Sequence, residues 1–504
     1  MLFIVLLCLL VVTWWRWGIR QAWKRQKPSY RLSAAGKTLR LYKTSFAGLR
    51  YVLAGPKIVS DLYNKNSRDP FAIPTCDLNY HVYVSSETHI RELNNASIYD
   101  LSFNAAMQEK FHHEYTIMGF RYDDDKDPNS SVAVRTLKGI LRPQLPTFTE
   151  ALQSVARQIL QIEVTANPKK VDSGWSVCKI TDLSKLLCKR MNNVTIVGQE
   201  LGLNKDFIKL AARYVEDAAL VGELLGMCPK FLKPLFGRLG MRISNADANL
   251  SRLIHQEITQ RLAKTNSATK HKDCLQFLFE AARTPEQRDP LRITQQTMGF
   301  LFAAAHQLPM FLSFALYELS LRPKLVEALK QEAAGLDVTD IDSARDGAQL
   351  LDSFLREVAR THPLSAISIV RRTMKPLTLS DGLHVPVGNW IGIPQNGILG
   401  DESFYRNADC FQADRFVMSQ DSPDSNQDGV RRFTFPDLSF PFWGSIKQSC
   451  PGRFYVSMVV KMVLITILSE YEIEPVDKDL QSTWTFGPHM LPSSSLSIRI
   501  RAVE

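Results

Sequence analysis

The chain has no CxxC pair, and its eight cysteines (Cys8, Cys76, Cys178, Cys188, Cys228, Cys274, Cys410 and Cys450) are scattered without dense spacing. That pattern argues against both a disulfide scaffold and a structural zinc site. A reducing, cytosol-facing compartment fits best. Beyond the N-terminus there is no long Lys/Arg run and no nucleic-acid motif, so the net charge of +10 points to an anionic membrane surface or an acidic protein partner and ranks nucleic acid last. No internal repeat and no clean linker breaks the chain after its first segment. With 45% hydrophobic and 22% charged residues, and 25 each of Gly and Pro, it is neither disordered nor collagenous. Its 504 residues suit one large body with a small appendage.

Met1 to Trp15 is uncharged and apolar, and Arg16, Arg20, Lys24, Arg25 and Lys27 follow it. A cleaved signal peptide carries its positive charge before the apolar run. Here the charge comes after it, with Trp14, Trp15 and Trp17 at the boundary, the pattern of a signal anchor. The run is shorter than the ~20 residues that span a bilayer, so the tryptophans must help complete it. A retained secretory signal is the competing reading. The expected organisation is an anchor with a basic stop over residues 1–28, crossing once, and a cytosolic body over 29–504.

Residues 40–95 mix short β-rich runs (Leu39 to Tyr42, Tyr80 to Val84) with turn residues and predict a small sheet. From Thr147 to Leu351 the apolar spacing is helical, clearest in Phe207–Leu225 and Cys274–Arg283. Met227 to Gly237 interleaves Lys230 and Lys233 with Phe231, Leu232, Leu235 and Phe236; a helix connection and a membrane-dipping loop are equally good readings. Pro376 to Pro394 reads as a hairpin broken at Asp381-Gly382 and Val387-Gly388, and a polar loop follows over residues 419–430. The fold class is mainly α with a minor β part.

Chemistry concentrates near the C-terminus. Trp443-Gly-Ser-Ile-Lys-Gln-Ser-Cys450-Pro-Gly-Arg-Phe454 runs into a helical stretch, Tyr455 to Leu468. A cysteine at a helix entrance meets backbone N–H groups that favour its thiolate, and a thiolate binds iron. Upstream, Glu357 and Arg360 lie three apart on a helix that Pro363 ends, so they share a face and can pair. Arg415, in Phe411-Gln-Ala-Asp-Arg415-Phe416, adds a third charge between that helix and the cysteine. Alone, a cysteine is more often a buried small hydrophobe, and such an ion pair more often a solvated one.

In this order, Glu-x-x-Arg, Arg-Phe, and Cys-Pro-Gly-Arg-Phe opening a helix, the chain resembles the cytochrome P-450 family over most of residues 30–504, in particular microsomal fungal members that tailor secondary metabolites. The resemblance implies the cytochrome P-450 fold in a single large haem domain. It implies haem b, iron protoporphyrin IX, with Cys450 as its axial metal ligand, and a buried network of Glu357, Arg360 and Arg415 that locks the cysteine loop. Arg371 or Arg372 would meet a haem propionate, bidentate arginine being suited to a carboxylate; Gln448 offers a hydrogen bond there. Trp443 stands beside the sulfur, with an N–H able to reach it. Arg292 to Ser320 resembles the helix over the distal haem face, where Ala303, Ala304 and Ala305 allow a flat cofactor to approach.

The departures from the family pattern are local. Gln307 follows His306 where a proton-guiding threonine is usual. Pro309 removes the partner of the Ala305 carbonyl, which predicts a kink. Ile446 replaces a turn glycine, which predicts strain. His306, Gln307 and the Ala305 carbonyl are the expected proton relay; Phe103, Phe111, Ala304, Leu308 and Ile367 are the expected apolar lining. The implied activity is a monooxygenase that hydroxylates or desaturates a lipophilic biosynthetic intermediate. It would be fed from NADPH by a cytochrome P-450 reductase at the endoplasmic reticulum membrane, docking on Lys447, Arg453 and Lys461. The alternatives are a haem-thiolate isomerase or dehydratase that needs no reductase, and a haem-free thiol hydrolase using Cys450 with His362.

Overall fold

The computed structural model describes residues 26–30, 39–42, 47–65, 68–75, 79–120, 131–165, 174–228, 232–263, 271–336, 348–417, 432–478 and 480–503. Nearly all of the expected anchor, and the polar loop at 419–430, lie outside the described residues.

Helices dominate, and the helices that frame the site are α1 (Phe103–Phe111), α2 (Ile180–Gly202), α3 (Lys205–Met227), α4 (Lys233–Arg242), α5 (Pro290–Ser320), α6 (Gln349–Thr361) and α7 (Arg453–Glu470). Asp289 caps α5, accepting from the Arg292 N–H at 3.2 Å, and Pro290 occupies the first turn, where no N–H is missed. Over its 31 residues the helix is about 46 Å long. Its length and hydropathy would suit a membrane span, but most of it is buried inside the protein, packed along α2. It runs as one element through Pro309, which is itself buried, where a kink is expected. Helix α7 is apolar on all sides, with Val459, Val460, Val463, Leu464 and Ile467 in the core, as a central helix must be.

A six-stranded sheet flanks the helices: β1 (Arg40–Leu41), β2 (Phe71–Pro74), β3 (Tyr80–Tyr83), β4 (Leu101–Ser102), β5 (Ser368–Thr373) and β6 (Trp390–Ile393), in the order β1-β2-β3-β6-β5-β4. Strand β6 is parallel to β3, with Ile391 opposite Val82, and antiparallel to β5, with Trp390 opposite Arg372. Along β5 burial alternates: Ile369, Arg371 and Thr373 face inward and Arg372 faces the other way.

The hairpin of β7 (Thr483–Phe486) and β8 (His489–Pro492) turns at Gly487, whose φ is +55°. Its tip is seated on the helix Ala47–Lys65, where a Cβ on Gly55 would lie 2.1 Å from the Gly487 carbonyl oxygen. Only glycine permits that approach. In a separate sheet the C-terminal strand Ser497–Ala502 lies between Tyr471–Pro475 and Ser176–Lys179.

Three local expectations change. Leu377–Thr378 and Leu383–Val385 do pair around Asp381-Gly382, with Gly382 at φ +87°, but Trp390–Ile393 leaves to join the larger sheet. The region expected as sheet also holds the helices Ala47–Lys65 and Glu87–Asn95. The first is rich in β-favouring residues (Tyr51, Val52, Ile58, Val59), and its burial outweighs that local preference. Third, Lys230 and Phe231 lie outside the described residues, and the rest of that stretch opens α4, so that α3, α4 and the residue after it expose Leu220, Leu224, Leu235, Phe236, Leu239 and Ile243.

His113 is buried between Phe111 and Phe120, and burial pulls its pKa down to about 4. The unfolded chain, with a histidine pKa near 6.5, takes up a proton first, so the folded state holds its full stability above about pH 6.5 and loses about 1.4 kcal/mol per pH unit from there down to about pH 4. The melting temperature is expected to fall between pH 7 and pH 5, and to fall less in His113→Gln.

Candidate functional site

The loop before α7 fixes Cys450 through its backbone. The Cys450 N–H donates to the Trp443 carbonyl at 2.7 Å, and Gly444 bridges Ser449. The left-handed residue of the loop is Gly444, at φ +92°, where a Cβ would also sit 3.0 Å from the Gln448 carbonyl oxygen. Ile446 is exposed and has no positive φ. The strain expected there is absent because Gly444 makes the turn.

Sulfur and backbone meet at the start of α7. Burial pushes the Cys450 thiol up, against the N–H groups of Gly452 and Arg453 and the charges of Arg453 and Lys138, which all favour the thiolate. Arg453 in turn donates to the carbonyls of Cys450, at 2.9 Å, and Thr434, at 3.0 Å. The indole N–H of Trp443 donates to the Phe433 carbonyl at 2.6 Å, not to the sulfur, and its ring is wedged between Phe433 and Phe442. Trp443 therefore stiffens the loop. The Gln448 backbone N–H donates to the Ser445 hydroxyl at 3.0 Å.

Helix α6 carries two separate clamps. Glu357 is fully buried and accepts from Arg360 Nε at 2.7 Å and Nη2 at 2.8 Å, from Arg415 Nε at 3.0 Å, and from the Gln412 N–H at 2.9 Å. The two arginines also donate to the carbonyls of Leu399, Arg406, Asn407, Ala408 and Cys410. Their target is the 399–415 segment, not the cysteine loop as expected. The neighbouring Arg356 holds the approach to that loop instead. Fully buried, it donates to the carbonyls of Arg432 and Phe435, pairs with Asp437, and lies 3.9 Å over the Phe440 ring, fixing the stretch that enters the cysteine loop.

The two candidates for an acid-binding arginine separate cleanly. Arg372 is engaged by Glu109, Nε to Oε2 at 2.8 Å. Arg371 is buried, donates to the Val370 carbonyl and lies over the Phe103 ring, with no carboxylate partner among the described residues. Burial lowers its pKa to about 10. A buried cation without a counter-ion is unfavourable by several kcal/mol in general, and the carboxylate of a bound group would relieve it.

On α5, Ala303 and Gln307, one turn apart, are accessible although the residues around them in the helix are half-buried or buried. In the middle of a core helix such a stripe borders an internal hollow. Leu308, expected there, is buried core instead, while Ala304, Ala305, Phe111 and Ile367 are half-buried and Phe103 is exposed. The His306 imidazole turns to the other side, to the Val215 carbonyl of α3, and its Nε2 is buried with no partner. Asn192, which no sequence signal marks, ties the site together: its amide donates to the Ala304 carbonyl at 3.0 Å and accepts from the Tyr455 hydroxyl at 2.9 Å, joining α2, α5 and α7.

Two other expectations fail. Lys461 is buried and paired with Asp352 at 3.1 Å, so it offers nothing to a docking partner. His362 is bound to Glu318 at 2.6 Å and stacked on Phe314, with no contact to Cys450. The thiol hydrolase reading loses its base.

A sulfur at a helix entrance, a buried arginine with no acid partner among the described residues, and the accessible Ala303–Gln307 stripe on a core helix together fit a flat, dianionic, iron-bearing group. The cytochrome P-450 family model matches residues 52–498. The chain is 26% identical over 458 residues to an ent-kaurene oxidase of Gibberella intermedia, covering 90% of this chain and 84% of that one. It is 25% identical over 464 residues to the cytochrome P-450 monooxygenase atmQ of Aspergillus flavus (90% and 85%), and 26% over 462 residues to a terQ monooxygenase of Tolypocladium album (86% and 81%). Its fold is shared with the retinoic acid-bound cyanobacterial CYP120A1, at a TM-score of 0.68 and 15% identity over 90% of this chain and 96% of that one. With a family match that takes in the sheet, the helices and the cysteine loop alike, the chain belongs to the cytochrome P-450 family of monooxygenases.

Proposed function

We propose that this monooxygenase hydroxylates or desaturates a lipophilic biosynthetic intermediate in a fungal secondary-metabolite pathway, with haem b bound through Cys450 and electrons from NADPH delivered by a cytochrome P-450 reductase. The observation that carries it is the Cys450 sulfur, set against the Gly452 and Arg453 N–H groups at the entrance of α7. A thiolate-bound haem supplies activation of dioxygen and attack on unactivated carbon. The protein residues divide the remaining work. Cys450 would hold the iron and Arg371 would neutralise a propionate, while Arg453 and the Trp443 carbonyl keep the cysteine loop in place.

The isomerase or dehydratase reading keeps its footing in Gln307, which stands where a threonine is usual. Turnover separates the two: product that forms only with NADPH and reductase supports the monooxygenase, and product formed without them supports the alternative. Lys447, Arg453, Lys138 and Arg142 form the basic surround of the cysteine loop that a negatively charged reductase would meet. Residues 1–28 would anchor the chain once in the endoplasmic reticulum membrane, and the exposed leucines and Phe236 of α3 and α4 would dip into its surface.

Gln307, accessible on the Ala303 side, is the better placed of the two polar residues to hold a proton donor in the hollow. Gln307→Leu is expected to cut product formed per NADPH on the order of 10²-fold, in line with loss of a positioned proton donor, and to divert reducing equivalents to peroxide. His306→Ala is expected to have the smaller effect, and the reverse ranking would return the relay to the histidine.

A further inference from the structure

Lys110, at the end of α1, reaches His489 of β8 with Nζ 2.9 Å from Nε2. An ammonium has only protons to give, so Nε2 accepts and the imidazole is neutral, its proton on Nδ1. Glu223 of α3 stands 3.9 Å behind the same Nε2. Glu109, next in sequence, is no counter-ion for Lys110: it is taken by Arg372, the Trp390 indole N–H and Asn79. Among the described residues no acceptor takes the other two Lys110 N–H groups, although the ammonium also lies 5.2 Å over the Phe111 ring.

This pair faces an enclosed space. Lys110 and His489 both keep water-accessible surface, yet burial lowers the pKa of each; that combination describes groups lining a hollow, not groups in open solvent. Helix α5, which carries Ala303 and Gln307, packs against β8 and forms one wall of it. Phe111, beside Lys110, packs edge-on against Phe302 of α5 at 5.1 Å, and Phe302 against His306 at 5.8 Å. The frame around it is firm. His489 bridges Ser365, the Met490 N–H donates to the Leu364 carbonyl at 2.9 Å, and the hairpin tip sits against Gly55.

We propose that Lys110, backed by His489 and Glu223, anchors a carboxylate at one end of an otherwise apolar substrate, so that this monooxygenase selects lipophilic acids. The inference rests on the haem-thiolate reading for its chemistry but names a part of the hollow which that reading does not use. The physical reason is charge. The Lys110 ammonium has one half-exposed carboxylate to balance it, beyond ion-pair distance, and two N–H donors to spare, and a carboxylate satisfies both needs where a hydroxyl satisfies only the second.

The test uses the haem-loaded protein with two flexible probes of equal length, dodecanoate and 1-dodecanol. Binding is followed at neutral pH by equilibrium dialysis and by the change of the haem optical spectrum on titration. The wild type is expected to bind the acid about tenfold or more tighter than the alcohol. Lys110→Met should bring the two within about twofold of each other, and Lys110→Arg should keep the preference. Equal affinities in the wild type, or a preference that survives Lys110→Met, with the reduced carbon monoxide spectrum still of the thiolate type, overturn the carboxylate anchor and leave the haem-thiolate reading standing. A wild type without that spectrum overturns both.

Discussion

Cys450→Ser is expected to abolish the thiolate-type carbon monoxide difference spectrum of the reduced protein, the largest change any single substitution here should produce. A serine hydroxyl keeps the shape of the loop, because the loop is held by backbone bonds: the residue 450 N–H to the Trp443 carbonyl and the turn at Gly444 are indifferent to the side chain. It is not ionised near neutral pH and offers a poor ligand for iron. Folding should therefore survive, measured as an unchanged far-ultraviolet circular dichroism spectrum, while haem content and turnover collapse. A serine variant with the unaltered thiolate band would remove the central assignment of this protein.

Glu357→Ala carries the largest expected cost in stability. Glu357 is buried with two arginines bound to it and a backbone N–H as well, and removing the carboxylate leaves Arg360, itself buried, without a countercharge. Breaking a buried pair from one side costs about 3–5 kcal/mol, a large share of the roughly 5–15 kcal/mol that holds a typical domain together. The variant is expected to accumulate poorly and to retain little haem, because the 399–415 segment loses the arginines that gather its carbonyls. Glu357→Gln should recover little, since an amide keeps hydrogen bonds but not the charge. Thermal denaturation of whatever soluble protein forms, compared with the wild type, decides the point; a loss under about 1 kcal/mol would mean that the charges are solvated like an ordinary surface pair.

Parts of the fold and of the site are legible in the sequence. The three-residue step from Glu357 to Arg360, ended by Pro363, implies a shared helical face, and the two side chains meet at 2.7 Å. The apolar stretch from Arg292 to Ser320 implies one long helix, and α5 covers it. What misleads are cases in which tertiary partners decide. Lys461 looks like one more basic residue near the cysteine, but α7 is buried on every side and Asp352 of α6 lies across from it. Arg356 sits beside Glu357 in the chain with nothing to mark it, and only the fold shows that its guanidinium gathers the Arg432 and Phe435 carbonyls and the Asp437 carboxylate. Arg371 and Arg372 are indistinguishable as letters; the pleat of β5 sends one inward and gives the other to Glu109. Leu308 suits a lining by its apolar character and is core, because a helical position's exposure depends on which neighbours stand around it. Asn192 and the Lys110–His489 pair join residues too far apart in sequence for any spacing rule to reach.

The pairing of Ser497–Ala502 with Ser176–Lys179 has an outcome for biosynthesis. The earlier strand leaves the ribosome long before its neighbour has been made, and until then it presents bare backbone donors and acceptors to any other chain nearby. A stop codon placed before Ser497 would make that exposure permanent. Such a truncated product, though it retains Cys450 and every helix named here, should be an aggregating protein and not a weak enzyme.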